Sequence, residues 1–95
     1  MIVEWTEEAL DNLYEIGLYI ASDRPKTAQR VTQIIKLAGN DMLADYPEVG
    51  IVGRVEGTRE YAVPRLPYTV VYHIDENRIV IDAIIHQSRN WPEDF

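Results

Sequence analysis

The period of hydrophobic and polar positions changes twice along this chain, and the changes mark its elements. Ile2 to Trp5 is a short apolar run that suits an opening strand. Thr6 is placed to cap a helix, with Glu7 and Glu8 in a first turn where carboxylates offset the positive end of the helix dipole. Leu10, Leu13, Tyr14, Gly17, Ile20 and Ala21 then recur at three- and four-residue steps, predicting a helix over residues 7–21 with those positions inward. Glu8, Asp11, Glu15 and Tyr19 fall elsewhere on it. Ser22-Asp23-Arg24-Pro25 breaks the pattern, because the proline disfavours helix at Arg24 and suits the first turn of a new helix. Ala28, Val31, Ile35, Ala38 and Met42 carry the helical spacing onward. Gly39 costs about 1 kcal/mol there relative to alanine, which predicts a close helix contact or local fraying. So short a turn between the helices predicts an antiparallel hairpin.

Tyr46-Pro47-Glu48-Val49-Gly50 ends the helical region, and the period shortens. Residues 53–74 read as strands broken by Gly57, Pro64 and Pro67, with Tyr68 to Ile74 β-branched and aromatic almost throughout. Asp75-Glu76-Asn77 is a turn, and Arg78 to Ile85 completes a β-hairpin. The last strand alternates poorly because both faces are mostly apolar, as expected of a central strand covered on at least one side. The tail, residues 86–95, leaves the sheet. Strand, helix, helix and then strands predicts an α+β fold: an N-terminal strand and a helical hairpin packed on one face of a mostly antiparallel sheet.

With 95 residues the chain makes a single domain, 1–95, with one modest core. Apolar residues at 46% and charged residues at 26% argue against disorder. No cysteine means no disulfide framework and no thiolate metal site. The two histidines lack ligand spacing, so no metal and no cofactor are expected. The N-terminus lacks the features of a signal peptide and no apolar run approaches a membrane span, so a cytoplasmic protein without membrane contact is expected. Sixteen acids against nine bases, a net charge of −7, argue against nucleic acid as the primary ligand, since phosphate binding rests on Lys and Arg. Three of the nine bases, Arg54, Arg59 and Arg65, still fall within residues 53–74, making that stretch the first candidate for a working surface.

Several short patterns follow one another in order over nearly the whole chain. Trp5-Thr6-x-x-Ala9 opens the first helix and Tyr19-Ile20-Ala21 closes it; Pro25-x-x-Ala28 begins the second, and Tyr46-Pro47-x-x-Gly50 follows. Gly57-Thr58-Arg59-Glu60, Pro67-Tyr68-x-Val70-Val71-Tyr72 and His86-x-x-Arg89-x-Trp91-Pro92 complete the set. Together they resemble the RelE/ParE superfamily, the toxin half of bacterial type II toxin–antitoxin modules. RelE-like members are ribosome-dependent ribonucleases, with lysines on the strand before the Pro-Tyr segment and an arginine just after its tyrosine. At the matching positions this chain has Glu60, Ala62 and Thr69, and the near-C-terminal arginine of that branch falls on Asn90, with Arg89 one residue earlier. A carboxylate and two neutral groups do not stabilise the negative charge that builds on a reacting phosphate. The Gly-Thr-Arg-Glu and His-x-x-Arg-x-Trp-Pro patterns look more like ParE, whose members inhibit DNA gyrase by trapping its cleaved complex with DNA. The resemblance therefore implies a ParE-like toxin, with gyrase as target and a ParD-like antitoxin as partner. The alternatives are a RelE-like mRNA interferase and a degenerate, harmless member.

On that reading the chain has no catalytic residue, and Arg54, Arg59, Arg65, His86, Arg89 and Trp91 are the candidate partner contacts. Under the ribonuclease alternative His86, Arg89 and Arg59 become catalytic. Otherwise His86 is an imidazole hydrogen-bonded at the end of the sheet, which the missing cations favour. Arg59 reads equally as a functional cation or as the partner of a carboxylate on a neighbouring strand. Arg65, between Pro64 and Pro67, sits on a stiff loop suited to contact. His73 reads as structural. Trp5 and Trp91 are expected to fill the core or cover its ends, and Tyr14 and Tyr19 to pack in the core ahead of lining a partner groove. The antitoxin is expected to bring a basic segment that folds on binding, at the helical hairpin or an exposed sheet edge.

Overall fold

The computed structural model describes residues 1–92; the last three residues of the expected tail, 93–95, lie outside the described residues. Five strands form one sheet: β1 (Ile2–Trp5), β2 (Ile51–Val52), β3 (Arg59–Ala62), β4 (Tyr68–Asp75) and β5 (Arg78–His86), in the order β1-β5-β4-β3-β2. β1 runs parallel to β5, and every other pair is antiparallel. Helices α1 (Glu7–Ala21) and α2 (Pro25–Leu37) form the hairpin over one face, so the α+β architecture is as expected. Among the described residues no helix is long and apolar enough to cross a membrane.

The outer edge of β5 decides where α1 lies. β1 pairs with β5 only as far as Ile81. Thr6 then turns the chain, its Oγ1 accepting from the Ala9 N–H at 3.1 Å as a helix cap and donating to the Ile81 carbonyl at 2.9 Å. Two turns on, the buried Asn12 Oδ1 accepts from the Ile84 N–H at 3.0 Å, taking the place of a strand partner. These ties set the rotation of α1. Ala9, Leu13, Ile16 and Ile20 face the core, packing with Val31, Ile35 and Ala38 of α2 and with Val70, Tyr72, Ile79 and Ile81 of the sheet. Leu10 and Tyr14, expected inward from their spacing, point outward instead, and Tyr14 is 67% exposed. Tyr19, at 81% exposed, does not pack in the core either.

α2 continues through a π-helical turn, Ala38–Met42, into the short α3 (Leu43–Asp45). Gly39 lies in that turn, and a Cβ there would sit 2.7 Å from Ile81 Cδ1 and 2.8 Å from Trp5 Cζ2. The glycine thus marks neither fraying nor a helix contact but a close approach to side chains of the sheet. Trp5 Nε1 donates to Asn40 Oδ1 at 2.7 Å, closing the same corner.

A bulge breaks the β4–β5 register: Val71 faces Ala83 and Tyr72 faces Ile81, leaving Asp82 extra. Ile79 and Ile81 therefore face the helices, while Ala83 and Ile85 join Val71, Val55 and Trp91 in a small cluster on the far face. β5 lies between β1 and β4 with apolar cover on both sides, which is why its sequence alternates so poorly.

Removing the Asn12 acceptor leaves the Ile84 amide buried and unpaired, a cost of about 1–3 kcal/mol. Asn12→Ala is expected to lose that much in urea unfolding, and Asn12→Leu to remain destabilised although it fills the space. Faster hydrogen exchange at the Ile84 amide should accompany both. A leucine variant as stable as the parent would refute the bond's contribution.

Candidate functional site

β4 and β5 finish level, Tyr68 pairing with His86, where the sheet meets the flank of α1. A cleft of about 450 Å³ opens there, lined by Asn12, Glu15 and Tyr19 of α1 and by Tyr68, His86 and Arg89. The Tyr68 and His86 rings meet edge to face, with centroids 5.4 Å apart and planes at 88°. Burial holds the Tyr68 phenol above its ordinary range, with a smaller contribution from Tyr19, so Tyr68 keeps its proton. The Ser88 N–H reaches His86 Nδ1 at 3.1 Å and the Ser88 hydroxyl lies 2.7 Å from it. A backbone N–H can only donate, so Nδ1 accepts and a neutral ring carries its hydrogen on Nε2. Arg89 closes the same turn, its N–H donating to the His86 carbonyl at 2.9 Å.

The remaining arginines lie elsewhere. Arg59 pairs with Tyr72, four residues along β4 from Tyr68. At about 3.3 Å per residue that is roughly 13 Å along the strand, with one more strand to cross before β5. The Arg59 guanidinium donates to the carbonyls of Gly50 at 2.7 Å and Glu48 at 3.3 Å, so it serves backbone rather than a carboxylate on a neighbouring strand. Arg54 grips Glu60 in a fork, Nε to Oε2 at 3.0 Å and Nη2 to Oε1 at 2.8 Å, and its N–H adds a third bond at 2.9 Å. That side-chain bond holds the Glu60 carboxyl below its usual range against the opposing effect of burial. Arg65 tops the β3–β4 loop, exposed and at φ 67°, a left-handed conformation rare for a residue with a Cβ. The loop leans on the cleft end of the sheet, the Gln87 N–H donating to the Pro67 carbonyl at 2.8 Å.

Trp91, a candidate contact, is 9% exposed and packs into the far-face cluster. His73 Nδ1 lies 2.7 Å from Asp82 Oδ2. Thr69 is buried in β4 opposite Ala62. Among the described residues no group of three or more His, Cys, Asp or Glu is placed to hold a metal. The structure thus gathers His86 and Arg89 at one cleft and leaves Arg59, Arg54 and Trp91 away from it. Sequence reasoning overlooked Tyr68, Glu15 and Asn12 as cleft residues. Counting back from the Asp75–Arg78 turn would have set Tyr68 within one residue of His86, the bulge supplying the remaining step.

Residues 3–91 match the family described as the ParE toxin of type II toxin–antitoxin system, parDE. The chain is 40% identical over 91 residues to the candidate toxin Y4kP of Sinorhizobium fredii, covering 96% of this chain and 93% of that protein. Among solved structures it superposes on the chromosomal ParDE toxin–antitoxin system from P. aeruginosa with a TM-score of 0.77 at 22% identity, covering 90% of this chain and 95% of that one. It also superposes on the toxin–antitoxin complex RelBE2 from Mycobacterium tuberculosis with a TM-score of 0.67 at 24% identity, covering 93% and 92%. At these identities the likeness to the solved structures is one of fold.

The Arg54–Glu60 fork makes a signed pH prediction. Glu60 has a lowered folded-state pKa, so its contribution is present above the unfolded value near 4.5 and is lost as pH falls through the folded value. Arg54 is 42% exposed, so water screens the pair. Glu60→Gln is expected to cost about 1 kcal/mol at neutral pH. In urea titrations the gap to the parent should close as pH drops below about 4.5, and a gap independent of pH would refute the assignment.

Proposed function

The chain belongs to the ParE toxin family of type II toxin–antitoxin systems, and from that premise we propose that it inhibits DNA gyrase and is neutralised by a ParD-like antitoxin. One observation carries the choice over messenger-RNA cleavage. Of the three basic residues that such a cleavage would recruit here, only His86 and Arg89 share a site, while Arg59 stands about 13 Å along the sheet with its guanidinium bound to backbone. Cutting a phosphodiester needs cations converging on one phosphate together with an acid and a base. Positions that supply cations in RelE-like enzymes hold Glu60, Ala62 and Thr69, and Glu60 is already committed to Arg54.

Binding a protein makes no such demand, and α1 is suited to it. Leu10, Tyr14 and Leu18, four residues apart, form an exposed apolar stripe on one helix face. Glu7, Glu8, Asp11 and Glu15 lie on the same helix, which carries no lysine or arginine. A basic amphipathic segment of an antitoxin fits that combination of shape and charge.

Purified protein added to gyrase and supercoiled plasmid is expected to build up cleaved DNA complexes at micromolar concentration, and the antitoxin encoded alongside to abolish them. Unchanged supercoiling with no cleaved complex would overturn the proposal. Translation-dependent mRNA cleavage that disappears in His86→Ala would assign the ribonuclease function instead.

A further inference from the structure

The loop between α3 and β2, residues 46–50, is held more firmly than a plain connection requires. Tyr72, wholly buried in β4, donates its hydroxyl to the Pro47 carbonyl at 2.7 Å and accepts from the Gly50 N–H at 2.9 Å. Arg59 of β3 adds its bonds to the carbonyls of Glu48 and Gly50. Gly50 packs so closely that a Cβ would sit 2.8 Å from the Tyr72 ring. Two strands thus devote side chains to the backbone of one surface loop.

That loop turns apolar side chains outward. Tyr46 is 63% exposed and Val49 is 42% exposed. With Met1 and Ile74 they line an open hollow of about 630 Å³. Ile74 lies at the end of β4 opposite Tyr68, so the hollow and the His86 cleft occupy opposite ends of the sheet. Pro47, Asp45 and Glu48 complete the lining, the two acids both exposed and neither in an ion pair with a described residue. The Met1 ammonium, donating to the Ala44 carbonyl at 3.2 Å, offsets part of this charge. A rigid apolar hollow with a remaining excess of carboxylate accepts a bulky apolar side chain flanked by a cation. Association of two copies of this chain works against the mutual repulsion of molecules that each carry a net charge of −7.

We propose that this hollow docks the antitoxin, receiving a segment that presents a large apolar side chain beside a lysine or arginine. The assignment rests on the reading of the chain as a toxin neutralised by an antitoxin. A pinned loop loses little freedom on binding, so contact area there is converted efficiently into residence time, which is what lasting neutralisation requires.

The test is calorimetric titration of the purified protein with the product of the adjoining antitoxin reading frame. Tyr46→Ala combined with Val49→Ser is expected to weaken binding roughly 10- to 100-fold. Asp45→Asn combined with Glu48→Gln is expected to weaken it about 3- to 10-fold at low salt, with the difference vanishing at high salt. Thermal melts should match the parent, because these side chains are exposed and the loop is pinned through its backbone. Hydrogen exchange on the parent complex gives a reading independent of any variant: the amides of Asp45, Tyr46, Glu48 and Val49 gain protection when the antitoxin binds. Parent-like affinity in both variants, or no added protection at these amides, would overturn the site. Loss of gyrase trapping with antitoxin affinity intact would give the hollow to the target and overturn it equally. No antitoxin binding by the parent protein would instead bring down the functional reading beneath it.

Discussion

A β-strand buried in a sheet needs hydrogen-bond partners along both edges, and the outer edge of β5 is where this fold solves that problem. β1 covers it as far as Ile81, and then Thr6 and Asn12 bind the Ile81 carbonyl and the Ile84 amide. An amide left dry and unpaired there would cost about 1–3 kcal/mol, a large share of the roughly 5–15 kcal/mol that holds a small domain together. Because Thr6 and Asn12 are both on or beside the first two turns of α1, satisfying the strand also fixes the helix. Its rotation about its own axis follows. Ala9 and Leu13 go inward, Leu10 and Tyr14 go outward, and Asn12, Glu15 and Tyr19 form a wall of the cleft opposite Tyr68 and His86. One unpaired strand edge thereby sets both the cleft and the apolar stripe that faces solvent.

The same constraint explains which parts of the structure were legible in the sequence. Element order, helix limits and the β4–β5 hairpin follow from local signals: the Thr6 cap, Pro25 at a helix start, and a β-branched run ending at a turn. The facing of α1 was not legible. Its apolar residues satisfy two overlapping helical stripes, one through Ala9, Leu13, Ile16 and Ile20 and another through Leu10, Tyr14, Gly17 and Ala21. Periodicity cannot choose between them, and the deciding group is a polar one, Asn12, whose partner lies 72 residues away. Gly39 failed for a similar reason, since its neighbours Trp5 and Ile81 come from distant parts of the chain. Two-residue β2 lay below the length at which alternation means anything. At the cleft, His86 and Arg89 were legible as a motif, but Tyr68 required counting a register that the Asp82 bulge shifts by one.

Charge is allocated as economically as the edge. The basic residues near the sheet's working ends are mostly engaged: Arg54 with Glu60, Arg59 with carbonyls of the loop, and Arg78 with both Glu4 and Asp75. The acids on α1 and around the hollow are not neutralised this way. Along the α1 stripe and around the hollow, exposed apolar side chains therefore share the surface with acids. Arg65, exposed and at φ 67° on the β3–β4 loop, is the exception, in no ion pair with a described residue.

Cleft and hollow therefore differ in chemistry as well as position. The first combines tyrosines, an imidazole and a guanidinium with a carboxylate; the second is apolar with two carboxylates and the N-terminal ammonium. Six residues of β4 separate Tyr68 from Ile74, which at about 3.3 Å each places the two sites roughly 20 Å apart. An occupant of the hollow leaves the cleft open unless it continues along the molecule. An extended segment covers that distance in about six residues, and a helix at 1.5 Å per residue needs about thirteen. Blocking both ends is thus within reach of one short antitoxin segment, and the two geometries predict footprints of different length on the same sheet.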